Sequence, residues 1–191
     1  MKTKLVFTVM LFASSQAFTQ GTLVFDQQTT NIVQLNGAPL LNQQPMGQSF
    51  TPSLSAIGFV QFQFLDSSGS LGASVSVNLL ANSITGSVVA ATSIIQIPNG
   101  FFGSTNFFFP SNIPINAGTE YFLVPVHHSG DNMSLLGGSF NYTGGSAFFS
   151  GVPNSSADFW FREGIVVPEP TFAALSLVGF GLARFFINRK A

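Results

Sequence analysis

The sequence predicts an all-β fold, an antiparallel β-sandwich of jelly-roll type, and three observations carry that expectation. Short stretches alternate apolar and polar residues with period two and are punctuated by Gly, Pro, Asn and Ser. No stretch before Thr171 holds a helical i, i+3, i+4 pattern over three turns. Phe occurs 23 times and Cys never. With no disulfide available, stability has to come from buried apolar area. Two sheets packed face to face bury many aromatic rings without needing polar partners.

The elements follow in chain order. Residues 1–17 read as a secretory signal peptide: Lys2 and Lys4 are charged, Leu5 to Ala13 are apolar, and Ser15-Gln16-Ala17 offers small residues for signal peptidase. The apolar run is too short for the roughly 20 residues that span a bilayer. Residues 22–166 form the expected sandwich, about the size of one ordinary domain. In "IGFVQFQFL", Val60, Phe62 and Phe64 share one face and Gln61 and Gln63 the other. "ASVSVNLLA" sets Val75, Val77 and Leu79 inward and Ser74, Ser76 and Asn78 outward. "SVVAATSIIQI" and "TEYFLVPVHH" follow turn signals at Ile84-Thr85-Gly86 and Asn116-Ala117-Gly118, and "GGSFNYTGG" and "SADFWFREG" complete eight or nine expected strands. Residues 36–46 and 98–106 read as loops.

Charge narrows the partners. Only 7% of residues are charged, against about 25% in ordinary proteins. Between the two ends Arg162 is the only base, facing Asp26, Asp66, Glu120, Asp131, Asp158 and Glu163, so one positive against six negative gives about −5. Nucleic acid is excluded as a partner, because neutralising phosphates takes a Lys/Arg surface.

Little in the middle points to a reaction. His127 and His128 are adjacent, so on a strand they face opposite ways and do not make one metal site; a strand-end role is expected, with no metal and no cofactor. Asp26, Asp66 and Asp131 stand where Asp bonds to turn backbones. No acid pair has a spacing that marks glycoside hydrolysis, and no Gly-x-Ser-x-Gly elbow is present. The expectation is a non-enzymatic protein.

"SADFWFREG" is the most informative stretch. With Phe159 and Phe161 inward, strand parity sets Asp158, Trp160 and Arg162 on the outer face, a ring flanked by hydrogen-bonding groups that suits a sugar. Two competing readings have Asp158 and Arg162 bonding to neighbouring strands while Trp160 covers the sheet edge, or the parity reversed and Trp160 buried.

The chain ends in "VPEPTFAALSLVGFGLARFFINRKA", residues 167–191. Pro168 and Pro170 block helix continuation. The apolar segment from Thr171 to Ile187 rises about 25 Å as a helix, marginal for a hydrocarbon core of about 30 Å. Arg184, Arg189 and Lys190 form a basic end that belongs on the cytoplasmic side. Pro168-Glu169-Pro170, an apolar helix and a basic terminus in that order resemble the PEP-CTERM sorting signal of exported bacterial proteins. The resemblance covers about 24 residues. It implies recognition by a membrane-embedded exosortase that cuts near the motif, and a destination at the cell surface or in the extracellular matrix of Gram-negative bacteria that make extracellular polysaccharide. Arg184 departs from the pattern by preceding a second apolar triplet, Phe185-Phe186-Ile187. The resulting expectation is an exported surface or matrix protein, an inner-membrane precursor before processing, associated with extracellular polysaccharide. The alternatives are a carbohydrate-binding module centred on Trp160 and, further off, a glycan hydrolase.

Overall fold

The computed structural model describes residues 21–30, 36–67, 69–139 and 142–169. The expected leader, Pro170, the helix expected over 171–187, and Arg184, Arg189 and Lys190 lie outside the described residues. Among the described residues no helix is long and apolar enough to cross a membrane. Thr22–Val167 forms one compact unit, and it is built from strands.

In chain order these are β1 (Thr22–Thr29), β2 (Asn36–Pro39), β3 (Gly47–Phe50), β4 (Ala56–Leu65) and β5 (Ala73–Ala81). There follow β6 (Ser87–Ala91), β7 (Ile95–Ile97), β8 (Phe102–Pro114), β9 (Tyr121–Gly130) and β10 (Ser134–Gly138). The last are β11 (Ala147–Phe149), β12 (Val152–Asn154), β13 (Asp158–Phe159) and β14 (Phe161–Val167).

All pairings are antiparallel, and they make two sheets. The first runs β1-β14-β4-β10-β13, with β8 on β4 and β2 on β10. The second runs β12-β11-β3-β9-β5-β6, with β7 also on β5. The inner faces meet in one apolar core. Val60, Phe62, Phe64 and Phe107 from the first sheet pack with Phe50, Val75, Val77, Leu79 and Leu123 from the second. This is the alternation read from the sequence: Gln61 and Gln63 are only half-buried, whereas Val60, Phe62 and Phe64 are wholly enclosed. Each buried Phe contributes about 1.5–3 kcal/mol relative to exposure.

The outward residues of β5 are better covered than period-two reasoning suggests. Ser74 and Ser76 are buried in a polar ladder across the outer face. Gln96 Nε2 donates to Ser74 Oγ at 2.7 Å, Ser74 and Ser129 hydroxyls lie 2.9 Å apart, and Ser76 Oγ meets His128 Nε2 at 2.9 Å. The turn signal at Asn116-Ala117-Gly118 is real: Thr119 N donates to Asn116 O at 3.2 Å, and Gly118 takes a φ of +77°, where a Cβ is strained.

Other expectations need correction. Residues 36–39 are strand β2, not loop, because their backbone pairs with β10 from Ser134 to Gly137. The expected loop at 98–106 ends at Phe101, and β8 begins at Phe102. Its Gly103, Pro110 and Pro114 mask the strand pattern, yet Pro is tolerated because β8 pairs on one side only, with β4. "GGSFNYTGG" is not a strand of its own: Gly137 and Gly138 end β10, Phe140 and Asn141 lie outside the described residues, and Thr143 and Gly144 form a turn.

Candidate functional site

The stretch from Asp158 to Glu163 runs through the middle of the first sheet. Along β4 the partner strand changes: Phe59 to Phe62 pair with β14, whereas Phe64 and Leu65 pair with β10. Trp160 sits at that change, between β13 and β14, and its N–H donates to Leu136 O at 2.9 Å. The single long strand assumed for the parity argument is therefore interrupted at its central residue.

Phe159 and Phe161 are in the core, as expected. The outer-face placement of their neighbours needs correcting for Asp158, whereas Trp160 keeps that face but is covered there. Asp158 is 4% exposed, and its carboxylate faces inward. It accepts from Gln48 Nε2 at 2.9 Å and from Tyr142 N at 3.2 Å. The same Gln48 amide accepts from Phe159 N through Oε1 at 2.8 Å, so one side chain of β3 grips β13 twice across the sandwich. Burial raises the Asp158 pKa, and the bonds from Gln48 and Tyr142 N oppose that rise. Trp160 is 7% exposed. Arg162 is half-buried on the outer face, with its guanidinium carbon 5.2 Å from the Trp160 ring centroid and 5.1 Å from that of Phe25. The Trp160 ring stacks on Arg162 and presents little surface to a sugar; Phe25, 41% exposed, is the accessible ring of this group. Neither competing reading holds as a whole: Asp158 does bond to Gln48 and Tyr142 N, but Arg162 lies over the Phe25 and Trp160 rings, and Trp160 is buried beneath it with no reversal of parity.

A second cluster lies where β1 meets β14, and sequence reasoning missed it. Phe25 pairs with Gly164 and Gln28 with Arg162, which leaves Asp26 and Gln27 as a bulge opposite Glu163. Glu163 faces inward, wholly enclosed, and its Oε1 accepts from Gln27 N at 3.0 Å, replacing a ladder bond lost to the bulge. Tyr142 hydroxyl donates to Gln27 Oε1 at 3.2 Å. Burial first, and then the neighbouring Asp26 charge, push the Glu163 pKa up to about 8. Burial also works to raise Asp26, but hydrogen bonds from the Ser53 hydroxyl, Leu54 N and Ser53 N outweigh it and hold that carboxyl below its usual value. With Glu163 raised and Asp26 lowered, the proton of the pair sits on Glu163 at neutral pH. Glu163 Oε2 is buried without a hydrogen-bond partner.

The remaining candidates are structural in their contacts. Asp131 Oδ2 accepts from Leu71 N at 2.7 Å and Gly72 N at 2.9 Å, and Asp66 Oδ2 from Gly100 N at 3.0 Å. His127 Nε2 bonds to Asp131 O at 3.0 Å. His128, the extra residue of a bulge in β9, meets Ser76. Among the described residues no three His, Cys, Asp or Glu side chains come close enough to hold a metal. Of the expected sorting motif, Pro168 and Glu169 follow directly on β14; Pro170 lies outside the described residues.

A cavity of about 230 Å³ opens beside Phe159, lined by Phe149, Phe159, Asn36 and the glycines Gly37, Gly137 and Gly138. The two rings are 5.0 Å apart, and the lining carries no titratable group. Its residues come from four separate segments, so no local motif marks it. No model of a known protein family matches the chain, and no curated protein is similar to it.

Proposed function

We propose that the chain is a non-enzymatic exported protein. An N-terminal leader and a C-terminal PEP-CTERM signal route it to the cell surface or extracellular matrix, and its folded unit is a jelly-roll sandwich that associates with extracellular polysaccharide. Signal peptidase with the secretion machinery, and then an exosortase-type enzyme, are the partners of the precursor.

The observation that carries this reading is the position of the fold's two ends. Thr22 pairs with Val167 in the last rung of the β1–β14 ladder. The compact unit thus begins a few residues after the expected cleavage at Ala17 and stops just before Pro168. Cutting at either place removes no strand and no core side chain among the described residues. A chain whose ends are to be trimmed after folding benefits from that arrangement.

The strand order supports the jelly roll. Taking the longer strands, β1, β14, β4 and β8 lie in one sheet, and β3, β9, β5 and the β6–β7 edge in the other. The chain crosses between sheets at each of β1 to β3, β3 to β4 and β4 to β5, returns by β8, and crosses again to β9 and β14, as two interleaved Greek keys require. A glycan contact on the outer face of the first sheet would run through Phe25, Arg162 and Gln61 rather than through the Trp160 ring.

Co-sedimentation of the full chain with the producing cell's own extracellular polysaccharide, beside surface biotinylation of intact cells, tests the proposal. Surface labelling with saturable co-sedimentation is expected. A chain found only inside the cell sinks the export reading, and a labelled chain that never co-sediments sinks the polysaccharide association.

A further inference from the structure

Two copies of this chain join through strand β6. That is the interaction we infer from the way the sheet edges are protected. An edge strand presents unpaired N–H and C=O groups, and proteins guard such edges with Pro, charge or irregularity. The free edges at β8, β12, β2 and β1 carry such guards. β8 has Pro110 and Pro114, β12 has Pro153, β2 ends at Pro39, and β1 has the Asp26–Gln27 bulge with its acid.

β6 differs. It bonds to β5 on one side and has no partner strand on the other among the described residues. Residues 82–97 contain neither a charge nor a proline. Val88, Val89 and Ile94 are 56%, 42% and 55% exposed. The bond from Ser93 N to Phe108 O at 3.3 Å ties the segment to β8 just past the strand, and within β6 Val88 and Val89 stay exposed. The one irregularity is a bulge at Val89, where Leu79 pairs with Ala90 and Leu80 with Val88.

Absence of charge selects a second copy as the occupant. Two antiparallel β6 strands related by a two-fold axis set the same few side chains against each other, so any charge in the segment meets its own sign. The unit carries about −5 overall, one base against six acids, which keeps copies apart everywhere except at an uncharged contact. Five paired residues make a small interface, so the association is weak and concentration-dependent in solution. It gains strength where many copies share one surface.

The chain has no cysteine, so single introduced thiols report proximity directly. The full chain in mild detergent would be made as Val88→Cys and, as a control at the most exposed apolar side chain, as Leu71→Cys, whose parent residue is 78% exposed. Mild oxidation is expected to link Val88→Cys into dimers about tenfold faster than Leu71→Cys, the ratio that a held contact gives over random collision. Adding Val89→Lys to Val88→Cys should bring that rate down to the control. Equal rates at both positions, as association through the apolar tail would give, overturn the proposal. So does the absence of cross-linking, or a fast rate that Val89→Lys leaves unchanged. The result is independent of the export reading, which surface labelling tests separately.

Discussion

The space between the sheets and the seam between β1 and β14 achieve burial in opposite ways. Between the sheets, Phe62, Phe64, Phe107, Phe159 and Phe161 are enclosed among aliphatic side chains and need no polar partner. At the seam Glu163 is as fully enclosed, as are Asp158 and Gln48 in the β13–β3 clamp, and each is held by named hydrogen bonds. The core is insensitive to pH and tolerant of apolar exchange. The seam depends on one proton and on bond geometry, and it lies beside the two ends where processing is proposed. In a chain with few charges, the buried acids tie the first and last strands together.

Mutations should separate the two regions, and the core should show the largest effect. Phe161→Ala leaves a cavity against Tyr142, whose ring lies 5.2 Å from it, and should cost about 3–5 kcal/mol in urea unfolding with no change between pH 5 and pH 8. Gln48→Leu keeps the volume but strands Asp158 Oδ1 and Phe159 N. A loss of about 2–3 kcal/mol is expected, and near-neutral behaviour would show that the clamp across the sheets is dispensable.

The seam's dependence on pH comes next. Glu163 is raised when folded, so its stabilising effect is complete below the unfolded value near 4.5 and lost as pH rises through about 8. Asp26 is lowered, so its contribution is present above 3.8 and lost below that. Stability should therefore peak between roughly pH 4 and 5 and fall on the alkaline side by up to about 1.4 kcal/mol per pH unit. Glu163→Gln keeps the acceptor for Gln27 N without titrating, so the fall in stability between pH 5 and 8 should be lost. An unchanged slope in that variant would place the proton elsewhere.

Smaller effects belong to the outer faces. Arg162→Ala removes the guanidinium held over Phe25 and Trp160 and should cost about 0.5–2 kcal/mol, reduced little by salt. His128→Ala loses one bond to Ser76 at an exposed strand end and should cost about 0.5–1 kcal/mol.

The difference between the regions also explains how much the sequence revealed. The core was legible because period-two alternation in residues 57–65 and 73–81 follows directly from the pleat. Asp26, Asp66 and Asp131 do accept backbone N–H groups, but from Ser53 and Leu54, from Gly100, and from Leu71 and Gly72, 27 to 60 residues away, beyond what short-range turn chemistry reads. The seam was not. Glu163 acquires its role from a bulge 136 residues away at Gln27, and Asp158 from Gln48, 110 residues away. Parity failed at Asp158 because it assumes a continuous strand, and the change of partner along β4 breaks β13 from β14 at Trp160. Strand β8 was hidden by prolines that only an edge position allows.

The most direct test of the proposed function is the intact mass of the protein recovered from the outside of the producing cells. The account predicts a chain shortened at both ends, starting near Phe18 and stopping near Pro168, with Thr22–Val167 whole. Recovery of all 191 residues, or of a fragment cut within the strands, would contradict it.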